Sequence, residues 1–409
     1  MQEYLKAVKV TDNTYWVGAI DWNIRNFHGY ATERGTTYNA FLVMDEKITL
    51  IDTVKAPFYD QMMARISSVV DPSKIDYIVS NHAEMDHSGA LPQAVRDICP
   101  EKLFASPMGE KNLNAQLEVG IEITAVKTGD SISIGKNSLS FIQTAMLHWP
   151  DSMMTYLSGD NILFTQDAFG MHLSGTRLYY DEYDQSVLDW ESEKYFANII
   201  MPYSGKVLQL LKSLPEMKLD VRMFCPDHGP LMRRPEDMAR VLGQYAKWAR
   251  QYPVKRVTVI YDTMWHASER MASSICDGAR SVGVDAEEIC MRFHDRSYVA
   301  TMVSRSGAIA VGSPTLNNNL MPTMADVMTY LRGLKPQHKI GFSFGSFGWS
   351  GESVSQLNEY LAAMKVEMIN EGLLFKYSPT AEELKQCFDA GVELANKLIA
   401  KIENQEECK

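Results

Sequence analysis

Hydrophobic positions along this chain fall first into short apolar runs and later into a regular exchange of strand-like and helix-like periods. The runs at 15–19, 39–44 and 48–53 read as strands, and the polar turn Asp45-Glu46-Lys47 folds the last two into a hairpin. An amphipathic helix is expected over 58–70, ending near Asp71-Pro72. The β-branched run 75–79 reads as a buried strand. Beyond it the pattern predicts helices at 89–98 and 107–118, and strands at 102–105, 121–126, 131–134, 138–144, 161–165 and 221–224. Residues 186–212 and 236–250 are helical in period. The pattern resets near Gln251-Tyr252-Pro253. From the apolar strand 254–261 onward, strand and helix alternate strictly up to a closing helix at 380–403. Such alternation predicts a doubly wound parallel sheet. The domains are therefore read as 1–252 and 253–409.

Chain length agrees, since 409 residues exceed one ordinary core. A hydrophobic content of 45% and a charged content of 22% are those of a globular protein. The formal charge of -11 argues against nucleic acid or an anionic membrane as partner, because both attract a basic face. Met1-Gln2-Glu3-Tyr4 lacks the basic flank and apolar core of a signal peptide, and no apolar run approaches a membrane span. Cys99, Cys225, Cys276, Cys290, Cys387 and Cys408 are scattered, with no Cys-x-x-Cys pair for a zinc ribbon or a fused rubredoxin-type iron site. They read as ordinary thiols of a reducing cytoplasm.

The first chemical signal follows the strand at 75–79. His82, Glu84, Asp86 and His87 fall within six residues, on a turn whose irregular backbone can aim several side chains at one place. Later strands end alike: Leu147-His148-Trp149-Pro150-Asp151, Gln166-Asp167-Ala168-Phe169-Gly170 and Pro226-Asp227-His228-Gly229-Pro230. Taken singly, His148, Asp167 or His228 would more often be a satisfied core histidine or a turn aspartate. A solvated face does not explain the same coincidence at four strand ends. Seven such residues suit two metals that share a carboxylate. Their mixture of carboxylate and imidazole favours iron or manganese over zinc.

The second signal lies in the later domain. The loop holding Thr263, Met264, Trp265, His266 and Ser268 joins a strand to a helix, where backbone N–H groups and hydroxyls can cradle a phosphate. It is neither Gly-x-Gly-x-x-Gly nor a Walker loop, which disfavours a dinucleotide or a nucleoside triphosphate and suits a mononucleotide. Two further loops follow at strand ends. One carries Ser313, Pro314, Thr315, Leu316, Asn317 and Asn318, and the other Ser346, Phe347, Gly348, Trp349, Ser350 and Gly351. Ligands of such sheets bind beyond the carboxyl ends of the strands, and Trp349 can border an aromatic ring. Alone, Trp349 would read as a packed aromatic; three such loops together point to a flavin.

These motifs resemble those of the flavodiiron proteins, also called A-type flavoproteins. The likeness rests on His82-Ala83-Glu84-Met85-Asp86-His87, on the His148, Asp167 and His228 motifs, and on Asp21-Trp22-Asn23 and Gly35-Thr36-Thr37-Tyr38-Asn39-Ala40. It covers nearly the whole chain in order. It implies an α/β chain: an N-terminal metallo-β-lactamase-like αββα sandwich followed by a flavodoxin-like doubly wound parallel sheet. By the family's pattern, His82, Glu84 and His148 would hold one iron, Asp86, His87 and His228 the other, and Asp167 would bridge the two. His28 and Tyr195 would stand where the family has substrate-pocket residues that donate hydrogen bonds, and His172 follows Asp167 at a spacing that places it near the site, although each of the three could equally be a packed or surface polar residue. The implied cofactors are FMN and two non-haem irons. The implied activity is reduction of dioxygen to water, of nitric oxide to nitrous oxide, or of both, for oxygen or nitrosative-stress detoxification in an anaerobe.

No donor module is fused to the chain, so electrons would come from a separate rubredoxin or a reduced deazaflavin. The resemblance also implies a head-to-tail homodimer, or a dimer of dimers, in which one subunit's FMN faces the other's irons. The alternative is a dinuclear zinc hydrolase with a flavodoxin-like binding domain. Hydrolases of similar layout carry histidine where this chain has Glu84, and that position and the FMN-type loops weigh against the alternative.

Overall fold

The computed structural model describes residues 5–407; Met1-Gln2-Glu3-Tyr4, read above for a targeting signal, and Cys408 lie outside them. A strand covered on both faces must be apolar at successive positions, and Phe41–Val43 and Thr49–Ile51 are buried throughout. Among the described residues they lie inside a seven-stranded sheet. Its order is Val8–Lys9, Thr14–Trp16, Phe41–Val43, Thr49–Ile51, Tyr77–Ser80, Lys102–Ala105 and Ile123–Ala125. Pairing is antiparallel through the hairpin Phe41↔Ile51 and parallel from there on.

Successive side chains of these strands point to opposite faces. Phe41, Val43, Ile51, Val79 and Phe104 pack inward, against Leu139, Phe141, Met153, Leu157, Ile162 and Phe164. Those partners belong to a second sheet, ordered Ser131–Ser133, Ser138–Gln143, Met153–Leu157, Ile162–Gln166 and Met223–Pro226. The alternate residues Leu42, Leu50, Ile78 and Leu103 pack outward with Met62, Ile66, Leu91, Val95 and Leu113 of the helices Tyr59–Ser67, Leu91–Ile98 and Pro107–Gln116. On the far side of the second sheet, Phe169 stacks on Phe224 and meets Tyr245 of the helix Pro235–Arg250. Two sheets face to face between helices make an αββα sandwich.

The later part forms one parallel sheet, ordered Asp285–Cys290, Arg256–Tyr261, Ala308–Gly312 and Ile340–Phe347, with Glu367–Met368 and Leu373–Lys376 both pairing to the last. Strand order reverses between Arg256–Tyr261 and Ala308–Gly312, which is the switch point where such sheets bind ligands. Val257, Val259 and Tyr261 pack with Met271 and Ile275 of the helix Ala267–Ser281 and with Leu394 and Leu398 of the closing helix Ala381–Glu407.

By packing, the chain forms two compact units. The first runs to Phe27 and takes in Thr32–Tyr195 and Tyr203–Ala246; the second takes in His28–Ala31, Phe196–Pro202 and the chain from Lys247. The stretch expected to be helical over 186–212 is helical throughout, but not as one α-helix: Gln185–Tyr195 passes through the π-helical turn Phe196–Ile200 and the 3-10 turn Met201–Tyr203, which holds Pro202, into Ser204–Ser213. Several strands escaped the pattern, among them Val8–Lys9, Thr36–Tyr38, Met153–Leu157 and Leu373–Lys376.

Candidate metal centre

The turn after Tyr77–Ser80 is pinned before it reaches its first histidine. Asn81 donates its main-chain N–H to Asp52 at 2.6 Å and its side-chain amide to the same carboxylate at 2.7 Å. One helical turn, Met85–Ser88, follows Glu84, and the Ser88 hydroxyl ties it back to the Ala83 and Glu84 carbonyls at 2.7 and 2.9 Å. Asp167 follows Ile162–Gln166, where the Gln166 side chain donates to Leu147 O and accepts from Asp167 N, both at 2.6 Å. That one amide links the His148 loop to the Asp167 loop. His228 follows Met223–Pro226 and precedes Gly229 at φ 79°, where a Cβ would stand 2.8 Å from Met171 O. A side chain there would collide with the neighbouring loop, so the position requires glycine.

The structure brings all seven expected residues together. His82, Glu84, His148 and Asp167 form one group of converging donor atoms, and Asp86, His87 and His228 another. Asp167 faces both. Its Oδ2 lies 2.8 Å from His148 Nε2 and 3.5 Å from His82 Nε2, while its Oδ1 lies 3.2 Å from His87 Nε2 and 3.6 Å from His228 Nε2. Glu84 Oε2 stands 3.3 Å from both His82 and His148. In the second group the Nε2 atoms of His87 and His228 approach to 3.1 Å, with Asp86 Oδ2 at 3.4 and 3.2 Å from them.

Every member but His148 is buried, and His148 is nearly so. Burial alone would push the His87 imidazole down, yet the charges of Asp86, Asp227 and Asp167 raise it to about 10. Burial would likewise raise Asp167, and the histidines His87, His148 and His82 hold it well below the usual carboxylate range instead. Both directions describe carboxylates arranged to hold positive charge.

Around the cluster, His82 Nδ1 lies 3.0 Å from Asp151 Oδ2, and His228 Nδ1 donates to Thr37 O at 2.6 Å. Of the three expected pocket residues, two are here. The His172 ring centroid lies 4.6 Å from that of His228, and the Tyr195 ring 5.1 Å from His172. His28 is exposed, and with Gly29–Ala31 it belongs to the second unit.

In that second unit, a cavity of about 510 Å³ opens at the carboxyl ends of the strands. Met264, Trp265, Pro314, Thr315, Leu316, Asn317, Asn318, Ser346, Phe347, Gly348, Trp349 and Ser350 line it as expected, joined by Ala267, Tyr377 and Ser378. Thr263, His266, Ser268, Ser313 and Gly351 do not line it. Thr263 N donates to Asp262 Oδ1 at 2.6 Å, and His266 is exposed beside Glu269. The Ser313 hydroxyl donates to Pro314 O at 2.8 Å, and Gly351 caps the helix Glu352–Ala363. Ser268 is fully buried at the start of its helix, and its hydroxyl has no hydrogen-bond partner among the described residues. Trp265 and Trp349 stand 91% and 88% exposed at the cavity.

Comparison with known proteins divides the chain in the same order. The ODP family beta lactamase matches residues 36–229, and flavodoxin matches 259–391. A nitric oxide reductase of Moorella thermoacetica is 39% identical, covering 96% of this chain and 99% of its own. The coenzyme F420H(2) oxidase of Methanothermobacter marburgensis is 38% identical over 96% of this chain and 98% of its own. The solved rubredoxin oxygen:oxidoreductase of Desulfovibrio gigas superposes with a TM-score of 0.94 at 38% identity, covering 97% of this chain and 100% of that one. The flavodiiron protein of Giardia intestinalis also superposes with a TM-score of 0.94, at 35% identity over 98% of each chain. The chain belongs to the flavodiiron protein family.

In this flavodiiron protein four residues beside the cluster were not singled out by motif spacing. Asp52 holds Asn81. Asp151 faces His82, and Thr36 stands between His172 and His228. Asp227 lies 3.7 Å from His87 Nδ1. Asp151 and Asp227 sit inside the very motifs that carry the histidines, so adjacency was the signal available. Thr36 lies within the motif Gly35-Thr36-Thr37-Tyr38-Asn39-Ala40, but like Asp52 it comes from another strand and meets the cluster only through the fold.

Proposed function

We propose that this chain reduces dioxygen to water or nitric oxide to nitrous oxide at a non-haem diiron site supplied with electrons by FMN. Residues 1–252 would carry the metal chemistry and 253–409 the flavin. The observation that carries this reading is Asp167, whose two oxygens face two separate histidine pairs. A shared carboxylate between two cations accounts for that orientation.

The residues fit both groups. Both carboxylate oxygens of Asp86 are buried with no hydrogen-bond partner among the described residues, a costly state unless a cation satisfies them. Two imidazole nitrogens 3.1 Å apart cannot both be protonated without repulsion, and a metal between the groups removes the conflict. We assign His82, Glu84 and His148 to one iron, Asp86, His87 and His228 to the other, and Asp167 to both. For FMN, the orphaned Ser268 hydroxyl and a helix start with no side-chain cap suit a phosphate, and Trp265 and Trp349 suit the ring. Iron would supply redox equivalents and a binding point for the gas.

The chain itself contributes position, dryness and protons. Dioxygen takes four electrons and four protons on its way to water. Coupling of two nitric oxide molecules takes two of each. The Tyr195 hydroxyl is buried and has no partner among the described residues, so its O–H would be free to donate a hydrogen bond to the substrate. Burial and the nearby carboxylate charges, Asp167 foremost, raise the phenol well above its ordinary range and keep that proton in place. His172 packs against Tyr195 and extends the same polar wall. The exposed His28 has no part in this reading.

Relatives named for nitric oxide, for rubredoxin with oxygen, and for a reduced deazaflavin support a separate donor of either of the last two kinds. We further propose a head-to-tail homodimer and a cytoplasmic setting. Among the described residues no helix is long and apolar enough to cross a membrane, and Cys99, Cys225, Cys276, Cys290 and Cys387 are free thiols. The test is metal and flavin analysis of anaerobically purified protein, followed by gas consumption after reduction. Two irons and one FMN per chain with gas consumed would uphold the reading, and the ratio of the two rates would name the gas. Zinc without consumption after iron reconstitution would end it.

A further inference from the structure

We propose that Asp151 is a positioning residue that makes the two irons unequal, lowering the reduction potential of the one held by His82 below that of its neighbour. The inference rests on the diiron reading above. A histidine that binds metal through one nitrogen commonly offers its other N–H to an outer partner, and the charge of that partner tunes the metal. The partners here differ in kind. His82 Nδ1 meets the Asp151 carboxylate at 3.0 Å, whereas His228 Nδ1 meets the neutral carbonyl of Thr37 at 2.6 Å. The Asp227 carboxylate also bears on the second pair, since its charge acts on His87, but it stands 3.7 Å from His87 Nδ1, beyond hydrogen-bond reach, and draws on no proton there.

Asp151 is also fixed in place. It is 1% exposed, and its Oδ2 accepts from Ala83 N at 2.7 Å as well as facing His82. Its Oδ1 accepts from the Asn112 amide at 2.8 Å, and its main-chain carbonyl accepts from Ser106 at 2.7 Å. A carboxyl group surrounded by donors in this way is an anion. Drawing on the Nδ1 proton, it makes the His82 ring a stronger donor through Nε2. A stronger donor favours the ferric ion, which carries one more positive charge than the ferrous. The electron of a half-reduced centre therefore resides on the iron held by Asp86, His87 and His228. The iron beside His82 is reduced last and is the stronger reductant when the gas arrives.

Asp151→Asn removes the charge and little else. The new amide oxygen still accepts from His82 and Ala83, and Asn112 can turn its own oxygen toward the new NH₂. Asn112→Ala acts in the opposite sense, because losing a donor leaves the carboxylate freer to draw on His82. The experiment is a titration of full-length protein loaded with iron and FMN, with dithionite supplying one electron per iron and paramagnetic resonance following the half-reduced iron pair. Wild type is expected to show two separated one-electron iron steps. In Asp151→Asn the lower step moves up and most of the half-reduced signal is lost. In Asn112→Ala the lower step moves down and the half-reduced form persists over a wider range. Iron content and the flavin's own steps stay unchanged in both.

Iron steps that do not move in either variant, or that move the same way in both, would overturn the inference while leaving the diiron reading intact. If Asp151→Asn fails to hold iron, Asn112→Ala decides alone, and an unmoved or raised lower step overturns the proposal. Wild-type protein that takes up no iron would instead bring down the reading on which the inference stands.

Discussion

The hydroxyl of Thr36 stands 2.9 Å from Nδ1 of His172. The same oxygen is 3.2 Å from Nδ1 of His228, a proposed metal ligand, so one buried hydroxyl joins a pocket residue to the iron site. With its proton given to His172 Nδ1, the hydroxyl leaves the His172 proton on Nε2. Thr36→Val keeps the shape and deletes the link. A neutral hydrogen bond is worth about 0.5–1.5 kcal/mol, so gas consumption should fall roughly two- to tenfold with iron content unchanged. Thr36→Ser should restore the rate. Oxygen-electrode and nitric oxide-electrode traces of the two variants decide the point, and equal rates in valine and serine forms would remove Thr36 from the mechanism.

Asp167 turns one oxygen toward each metal group, so its loss should be felt at both. Asp167→Ala is expected to abolish gas consumption and to lower bound iron while the flavin stays in place. The flavin loops belong to the other compact unit and share no residue with the metal cluster. Iron analysis beside the visible absorbance of the same sample makes the comparison. Loss of flavin together with iron would contradict the assignment of separate tasks to the two units.

Sequence pattern and structure agree best where one period dominates. The parallel sheet at the end of the chain alternates with its helices in both. The hairpin through Asp45-Glu46-Lys47 pairs Phe41 with Ile51. Met153–Leu157 was missed because it opens on two methionines soon after a Pro-Asp turn, although every residue in it is buried. Burial against a second sheet, a tertiary fact, makes that run a strand. Leu373–Lys376 is short and half-exposed, and it forms by pairing beside Ile340–Phe347. The site shows the same division. Metal-type side chains at successive strand ends were legible because their chemistry is rare at that density. Thr36 and Asp52 are common residues whose meaning comes from a neighbour far along the chain.

Ser268 offers a test of the flavin cradle that leaves the metal untouched. Its hydroxyl is buried and unpartnered among the described residues at the first turn of Ala267–Ser281. A hydrogen bond to a charged phosphate is worth about 1.5–3 kcal/mol, so Ser268→Ala should weaken FMN binding by roughly ten- to a hundredfold. Fluorescence titration of flavin-depleted protein with FMN measures this directly. Riboflavin, which lacks the phosphate, should bind both proteins equally. If the variant loses affinity for riboflavin to the same degree, the hydroxyl does not serve the phosphate.

Lys339 leads to a prediction about stability and pH. It is buried before the strand Ile340–Phe347 and donates to the Ser306 carbonyl, and burial lowers its ammonium to about 7 from 10.5. The folded form therefore binds fewer protons than the unfolded chain between those values. Stability contributed by this residue rises with pH across that window and is lost as pH falls toward 7. The slope is at most about 1.4 kcal/mol per pH unit. Lys339→Met keeps the apolar stem and removes the titration, so its stability relative to wild type should be greatest near pH 7 and shrink toward pH 10. Denaturant midpoints of both proteins, measured across that range, check the sign. A difference that stays constant, or grows with pH, would show that Lys339 is charged in the folded protein throughout and that the Ser306 carbonyl suffices to hold it so.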